Sequence, residues 1–344
     1  MPPTTPPASI DGMKLLVLGG THHVGRAVVE AALARGDTVT TLTRGVSGHA
    51  VPGAEARRAD RRDPEALAGA LGEDRWDAVI DTWSFEPAAV RDAVRLLDGR
   101  ARHYTYISSR SVYAWPIPPG ADESAPVVDA DPDSTDAEDY AAAKRGGELA
   151  ALAGFGGDVL LARAGLVLGP YELVGRLPWW LNRISAGGRV PAPGPRERPL
   201  QYVDARDLAE WCLDAGRSGL GGAFNAVSPP GHTRIGALLD QCVEVTGSDA
   251  ELVWIRPDAI EAADVSGWTN LPIWVPPTGE LAALHDGDAS AAQAAGLRCR
   301  PMEETVADTW AWLQREGTPA GASARAGQIG LSDEAEQRLL AAVR

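Results

Sequence analysis

The sequence predicts an α/β protein in which a doubly wound parallel sheet is joined to a smaller, mostly C-terminal domain. Two observations lead to this fold class. Between Met13 and Gly45, a short apolar run, a glycine-bearing turn, a helical pattern and a second strand-like run follow one another. Further strand-like runs alternate with helical patterns downstream. The chain has 344 residues and 44% hydrophobic content, which is enough for one large domain and a smaller one.

The first unit begins with Leu15 to Leu18, an apolar run typical of a strand buried on both faces. After the glycine turn, apolar residues recur at helical spacing, and Gly36 stands where a helix would end. Thr38 to Thr43 is the expected second strand. Such a turn can bring backbone amides and a helix N-terminus to a pyrophosphate. An ordinary crossover with a glycine-bearing loop is the alternative that the glycines alone leave open.

A tyrosine and a lysine stand four residues apart in DYAAAKRGGE, from Asp139 to Glu148, a segment that otherwise favours helix. Residues at this spacing share one helical face, so Tyr140 and Lys144 are expected side by side. A phenol normally loses its proton near pH ~10, and a neighbouring ammonium lowers that pKa. The pair therefore predicts a tyrosine that can donate or accept a proton near neutrality.

The order of these features resembles the extended and atypical short-chain dehydrogenases/reductases, a superfamily often called NAD-dependent epimerase/dehydratase. Gly19 and Gly25 occupy the first and last positions of its GxxGxxG turn. His22 stands in place of the middle glycine, as in an atypical subgroup whose turn is GGTxxxG. The run ARAGLVLGPYE, at 162 to 172, is similar to the family's sixth strand and the segment after it. The resemblance implies a Rossmann-type sheet that binds a nicotinamide dinucleotide.

The resemblance also implies which residues contact the cofactor. His22 is expected to donate to a phosphate, or else to face solvent from the loop. Asp60 lies where relatives place an acid near the adenine ring. The second strand ends at Arg44 without the carboxylate that accepts from the ribose, so NADP(H) is favoured over NAD(H). The predicted cofactor-binding residues are Gly19, Thr21, His22, His23, Val24, Gly25, Arg44, Asp60, Thr82 and Lys144.

Three residues are the predicted catalytic set. The resemblance places Ser109 where its hydroxyl would hydrogen-bond the substrate oxygen. Tyr140 would protonate the alkoxide formed on reduction, or deprotonate an alcohol on oxidation. Lys144 would lower the pKa of the tyrosine and hydrogen-bond the nicotinamide ribose. The cofactor would carry the hydride.

Reduction of a ketone or imine of a fairly bulky small molecule, with NADP(H), is the first-ranked reaction. An epimerase or isomerase of the nucleotide-sugar type, which retains its NAD(P), is the alternative. A non-catalytic NAD(P)-binding regulatory protein is the second alternative, which the presence of all three catalytic residues disfavours. Dehydration is not expected, because Arg110 and Ser111 stand where dehydratases place an Asp-Glu pair.

The resemblance places the substrate region mostly in the C-terminal part, where tryptophan is dense. Large rings carry much apolar area and can stack on planar or sugar ligands. Trp179 and Trp180 are adjacent, so on a helix they cannot both face the core, and one of them is a candidate for the pocket wall. Trp83 is expected either in the pocket or in the core. The predicted substrate contacts are Trp83, Arg110, Trp179, Trp180, Arg198, Gln201 and Trp268.

The expected domains follow from this layout. Residues 13–170 and 200–230 form the dinucleotide-binding domain, and residues 171–199 and 231–317 form the substrate-binding domain. Residues 1–12 are expected to be a disordered leader. Residues 318–344 are expected to be a linker and a short helix that packs on another subunit or stays free.

Composition indicates a soluble cytoplasmic enzyme. With 32 basic and 47 acidic residues, the net charge of −15 disfavours nucleic acid, which requires a basic face. The chain has no apolar run long enough for a membrane span. Three widely spaced cysteines give neither a metal site nor a disulfide framework, so we expect free thiols and no metal. The expected partner is a small-molecule substrate, and the expected assembly is a monomer or homodimer.

Overall fold

The computed structural model describes residues 12–46, 48–317 and 329–342. Residues 1–11 of the expected leader and residues 318–328 of the expected linker lie outside the described residues. The strands are β1 (Lys14–Leu18), β2 (Thr38–Thr43), β3 (Glu55–Arg58), β4 (Ala78–Asp81), β5 (His103–Ser109), β6 (Asp158–Ala164), β7 (Leu166–Leu168), β8 (Arg189–Pro193), β9 (Pro199–Leu200), β10 (Tyr202–Asp204), β11 (Gly222–Ala226), β12 (Thr233–Arg234), β13 (Glu251–Ile255), β14 (Gly267–Trp268) and β15 (Leu271–Pro272).

The helices carry the connections between these strands. They are α1 (His23–Ala34), α2 (Pro64–Leu71), α3 (Pro87–Leu97), α4 (Tyr140–Gly154), α5 (Arg176–Ser185), α6 (Ala205–Ser218), α7 (Ile235–Thr246), α8 (Pro257–Ala262), α9 (Ser290–Ala294), α10 (Met302–Glu316) and α11 (Asp333–Ala341). A short 3-10 turn, Arg110–Val112, follows β5.

A seven-stranded parallel sheet in the order β11-β6-β5-β4-β1-β2-β3 forms the larger domain. Alternate residues of β1 enter two separate cores, because successive strand side chains point to opposite faces. Leu15 and Val17 pack with α1 and α6, whereas Leu16 and Leu18 pack with α2, α3 and α4. Both faces of the sheet are therefore covered, as the doubly wound prediction requires. The prediction of fold class is confirmed.

Helix caps fix where two of these helices begin. Asp63 accepts hydrogen bonds from the Glu65 and Ala66 amides at the start of α2, and Pro64 follows it at a position where no amide is needed. Asp139 accepts from the Ala141 and Ala142 amides. This second cap makes Tyr140 the first residue of α4, so its position relative to β5 is set by the cap.

The smaller domain has its own hydrophobic core, built around α5, α7 and α10 with β8 and β13. The C-terminal helix α11 belongs to this core. Leu339 is fully buried there, and Glu336 pairs with Arg183 of α5 at 2.6 Å. The helix thus packs on its own chain, whereas the sequence had indicated another subunit or a free helix. None of the described helices has the length and apolar content that crossing a membrane requires.

Candidate active site

A cleft of about 910 Å³ opens at the carboxyl ends of the central strands. In a doubly wound sheet this edge, where strand order reverses between β1 and β4, is where ligands bind. One wall consists of the glycine turn, the ends of β2, β4 and β5, and the start of α4. The other wall comes from the smaller domain and includes Glu172, Arg176, Trp268 and Leu284.

The glycine turn packs too closely for side chains. Gly19 and Gly20 have φ of 126° and 112°, which L-residues with a Cβ rarely adopt. A Cβ on Gly19 would lie 2.2 Å from Thr82 Oγ1, and one on Gly25 would lie 2.7 Å from the Gly20 nitrogen. No described side chain caps the N-terminus of α1, and its first turn carries no acid. The turn therefore leaves helix amides for an anion, which fits the pyrophosphate of a dinucleotide.

Two histidines flank these amides. His22 Nε2 and His23 Nε2 are buried without a hydrogen-bond partner among the described residues. Burial lowers the pKa of His23 to about 4, and burial also lowers the pKa of His22. Both rings are therefore mostly neutral at pH 7. A neutral imidazole N–H can donate to a phosphate oxygen, so these unpaired nitrogens also fit the pyrophosphate of a dinucleotide.

The far end of the cleft is basic. Arg44 lines it, and a Cβ on Gly45 would lie 2.8 Å from Arg58 Nε, so the Arg58 side chain packs against Gly45, outside the cleft lining. The register of β2 and β3 pairs Thr43 with Arg58, which is how the second arginine arrives there. Asp60 lies outside the cleft lining and bonds Arg62 at 2.7 Å. That partner is the main reason that the pKa of Asp60 is lowered to about 2.

Arg61 is a buried cation in the cleft wall that was not among the predicted site residues. Its Nη2 donates to Asp81 Oδ2 at 2.7 Å, and the guanidinium lies 5.0 Å from the centre of the Trp83 ring. Trp83 also lines the cleft. In the sequence Arg61 stands in the run RRADRRD, which looks like a solvated surface. Its partner Asp81 lies on β4, 20 residues further along the chain. No local signal identifies such a pair.

Tyr140 and Lys144 both line the cleft from the first turns of α4. Tyr140 is 37% exposed, whereas Lys144 is 2% exposed. The Lys144 Nζ donates to the carbonyls of Trp83 and Ile107, each at 2.6 Å, and lies 4.8 Å from the centre of the Tyr106 ring. The ammonium is therefore fixed between the N-terminal part of α4 and the ends of β4 and β5.

Ser109, the last residue of β5, lines the same cleft. Its hydroxyl accepts from the Ser111 amide and donates to the Ser111 hydroxyl, both at 3.1 Å. Ser108 instead points to Glu148, to which it donates at 2.7 Å. The structure thus brings Ser109, Tyr140 and Lys144 together with the glycine turn. The other predicted cofactor residues at the cleft are Thr21, Val24, Arg44 and Thr82.

The predicted substrate contacts divide into two groups. Trp83, Arg110 and Trp268 line the cleft, where Arg110 Nη1 also donates to the Leu284 carbonyl at 2.7 Å. The structure gives the rest other roles. Trp180 is fully buried and donates to the Pro272 carbonyl, and Trp179 packs against Gly330 near the C-terminal helix. Their positions on α5 point them away from the cleft.

Arg198 and Gln201 are also outside the cleft lining, because they brace the backbone of residues 276–287. Arg198 Nη2 donates to the carbonyls of Pro276 and Ala282. The Gln201 side chain is buried, donates to the Gly287 carbonyl at 2.8 Å and accepts from the Gly287 amide at 2.7 Å. Backbone groups of an irregular segment need such partners wherever water does not reach them, and these two side chains supply them.

The smaller domain contributes two cleft residues that the sequence analysis missed, Glu172 and Arg176. Glu172 is buried and accepts from the Arg176 and Leu177 amides, so it caps α5. The Arg176 guanidinium lies 4.4 Å from the centre of the Trp268 ring. A charge at the start of an amphipathic helix normally faces solvent, so the pattern alone indicates no site. Among the described residues no cluster could hold a metal ion.

Known proteins are similar to this chain in sequence and in fold. Over 214 residues the chain is 26% identical to chloroplast stem-loop binding protein of 41 kDa b, from Arabidopsis thaliana. That match covers 57% of this chain and 53% of the relative, so the aligned part spans about half of the curated protein.

Solved structures match over most of their length. WbmH of Bordetella bronchiseptica, in complex with NAD⁺, is 19% identical with a TM-score of 0.67, covering 89% of this chain and 99% of that one. UDP-glucose 4-epimerase of Thermotoga maritima, with UDP-glucose, is 19% identical with a TM-score of 0.66, covering 88% and 99%. At this identity the likeness shows the fold alone. The sequence model of the NAD dependent epimerase/dehydratase family matches residues 15–226, more than half of the chain. The chain therefore belongs to the NAD dependent epimerase/dehydratase family.

Proposed function

We propose that this chain is an epimerase or isomerase that oxidises and then re-reduces a secondary alcohol of a nucleotide-sugar-type substrate. The observation that carries the proposal is that Ser109, Tyr140 and Lys144 line one cleft with the glycine turn. A nicotinamide dinucleotide bound on that turn would take up the hydride and return it.

The chain's own residues supply the proton chemistry. Tyr140 takes the hydroxyl proton as the alcohol becomes a ketone, and returns it when the ketone is reduced on its other face. Ser109 hydrogen-bonds the oxygen that changes between hydroxyl and carbonyl. Lys144, fixed by two carbonyls, holds a positive charge beneath the α4 N-terminus, where it favours the phenolate form of Tyr140.

Two comparisons favour epimerisation over the reduction that the sequence alone ranked first. The family of this chain is named for epimerases and dehydratases, and one structural neighbour is a UDP-glucose 4-epimerase. Epimerisation requires the ketone to rotate within the site, so that the hydride returns to its opposite face.

Simple reduction with NADP(H) is the second candidate, because one observation favours it. Arg44 lines the adenosine end and Arg58 packs against the neighbouring Gly45, while β2 itself ends without the carboxylate that a ribose hydroxyl would use. A 2′-phosphate would find two cations there. The structural neighbour WbmH, in contrast, was solved in complex with NAD⁺.

One assay separates these functions. The purified chain is incubated with catalytic NAD⁺ and UDP-glucose, UDP-galactose or their N-acetyl analogues, and separately with NADPH and a panel of ketones and imines. Interconversion of sugar epimers without net change in nicotinamide absorbance supports the epimerase. Stoichiometric NADPH oxidation supports the reductase. Dinucleotide binding without any turnover supports the non-catalytic alternative.

Tyr140→Phe tests the catalyst in whichever reaction is found. We expect a loss of about 10²- to 10⁴-fold in kcat, the usual contribution of a general acid or base, with thermal unfolding unchanged because the ring is partly exposed. Parental turnover by a folded Tyr140→Phe protein would refute the assignment.

Cofactor choice has its own measurement. Fluorescence titration with NADPH and NADH gives the two affinities directly. We expect NADPH to bind more tightly, and Arg44→Ala to reduce that preference. Equal affinity of the parent chain for both would refute the role of Arg44. We expect no nucleic-acid partner, given the net charge of −15, and a monomeric or homodimeric assembly.

A further inference from the structure

Arg176 is a half-buried cation whose side chain has no hydrogen-bond partner in the part of the chain that the structure describes. It is the first residue of α5 and lines the cleft from the smaller domain. Its Nε is buried with no acceptor, and burial lowers the pKa of the guanidinium. Leaving charged donors unpaired in a desolvated place is costly, so such a group is a candidate for binding an anion.

The guanidinium is held in place by a ring. Its carbon lies 4.4 Å from the centre of the Trp268 ring, within cation–π range. Trp268 has φ of 66°, a left-handed conformation that is unfavourable for a bulky residue. Its amide donates to the Trp274 carbonyl at 2.7 Å, which helps to hold the strained residue. Strain of this kind persists where surrounding structure enforces it, often at ligand sites.

The nearest carboxylate does not neutralise the guanidinium by direct contact. The two Glu172 oxygens accept from the Arg176 amide at 2.9 Å and from the Leu177 amide at 3.2 Å. Burial raises the pKa of Glu172 to about 7, so near neutrality this acid is only partly ionised. The charge of Arg176 is thus incompletely compensated.

The position of Arg176 indicates which ligand it serves. Its charge interacts with Tyr140 on one side and with His23, at the start of α1, on the other. The turn amides and the two histidines already provide for a pyrophosphate at α1. The guanidinium is therefore left for a group on the substrate, near the atom that exchanges its proton with Tyr140.

We propose that Arg176, stacked on Trp268, binds an oxyanion, a carboxylate or a phosphate, that the substrate carries close to its reacting carbon. A guanidinium presents paired N–H groups that match two oxygens of such an anion. The inference rests on the proposed function in one respect, that Tyr140 marks the reacting carbon. It adds that the substrate is anionic near that carbon.

The test measures binding, so that it is independent of turnover. The full chain, loaded with NAD⁺, is titrated calorimetrically with two matched pairs: UDP-glucuronate against UDP-glucose, and glucose 6-phosphate against glucose. The first pair reports a carboxylate and the second a phosphate. Parent protein should bind the charged member of at least one pair more tightly. Arg176→Gln should lose that preference by roughly 10- to 100-fold, the size of a charge-assisted hydrogen bond.

Controls separate the possible outcomes. Arg176→Lys keeps the charge, so it should retain part of the preference for the charged ligand. This variant keeps the proposal testable if Arg176→Gln does not fold. Arg183→Gln, on the same helix but paired with Glu336, should behave as the parent. The proposal is overturned if the parent prefers neither charged ligand, if Arg176→Gln keeps the preference, or if Arg176→Gln loses NAD⁺ affinity equally. The last result would assign the guanidinium to the cofactor's pyrophosphate. Anion preference without any turnover would refute the proposed function alone.

Discussion

The two walls of the cleft differ in how their charged groups are paired. On the wall made by the sheet and α4, Lys144 donates to two carbonyls and Ser109 is bonded to Ser111. On the wall made by the smaller domain, no described residue accepts from the Arg176 side chain, whose guanidinium lies against the Trp268 ring. Around Ser109 and Lys144 the first wall is organised before any ligand arrives, whereas its glycine turn keeps the Nε2 atoms of His22 and His23 unpaired. The anion proposed for Arg176 would complete the second wall.

The organised wall is anchored by a buried ionic cluster under α4. Glu148, one turn after Lys144, is fully buried and accepts from Arg163 Nε at 2.9 Å, Arg145 Nη1 at 2.8 Å and Ser108 Oγ at 2.7 Å. Arg163 lies on β6 and Ser108 on β5. The cluster therefore ties the helix that carries Tyr140 to two strands of the sheet.

The largest expected effect comes from removing this anchor. Glu148→Ala leaves the buried Arg163 guanidinium without its carboxylate, so we expect a loss of about 3–5 kcal/mol in the free energy of unfolding. Urea denaturation measures it. Glu30→Ala, which removes an exposed partner of Arg26 one turn away on α1, should cost less than about 1 kcal/mol. Similar values for the two variants would mean that the cluster does not hold α4.

The pH dependence of unfolding tests Glu172, the carboxylate beside Arg176 on the wall made by the smaller domain. Burial raises the pKa of Glu172 to about 7, while Arg176 and two amides act in the opposite direction. Because the folded pKa exceeds the unfolded one, the folded state holds more protons between about pH 4.5 and 7, and stability falls as pH rises through that window. Glu172→Gln cannot ionise, so relative to the parent it should gain up to about 3 kcal/mol over the window.

The measurement is chemical denaturation of both proteins at pH 5, 6 and 7. The difference between their unfolding free energies should change steadily in favour of Glu172→Gln and level off above about pH 7. A constant difference would show that Glu172 has an ordinary pKa, and that Arg176 is then fully compensated by an ionised neighbour.

The same contrast explains what the sequence could predict. Local rules were sufficient for the organised wall: Tyr140 and Lys144 share a face because they are four residues apart on α4. Gly19 and Gly25 follow from one strand, one turn and one helix. Every one of these relations is made within a short stretch of chain.

The substrate wall depends on contacts between distant segments. Arg176 meets Trp268 only because two parts of the smaller domain fold together. Adjacency showed that Trp179 and Trp180 could not both face the core, but not that Trp179 would be covered near Gly330. Arg198 and Gln201 were expected at the substrate because their segment resembles one of the family's. The bonds that they make to the backbone of residues 276–287 have no signature in sequence.

A substitution of Trp268 is a smaller test of the wall made by the smaller domain. The residue is partly buried and lies in a strained conformation, so losing its packing is offset by relief of the backbone. We expect Trp268→Gly to change the free energy of unfolding by no more than about 1–2 kcal/mol, because glycine adopts positive φ without cost. Thermal unfolding checks this. A much larger loss would show that the ring is a core residue first and a support for Arg176 second.

The smallest expected effect lies at the exposed end of the organised wall, where Arg58 packs against Gly45, the residue after Arg44. An exposed cation contributes about 0.5–1 kcal/mol to binding a phosphate, since water and salt screen it. Arg58→Gln should therefore weaken NADPH by roughly two- to fivefold in a fluorescence titration and leave NADH unchanged. Arg62→Gln, whose partner is Asp60, is the matched control and should affect neither. An equal loss for both cofactors would place Arg58 in the support of the β2 edge, because only NADPH carries the group that distinguishes the two ligands.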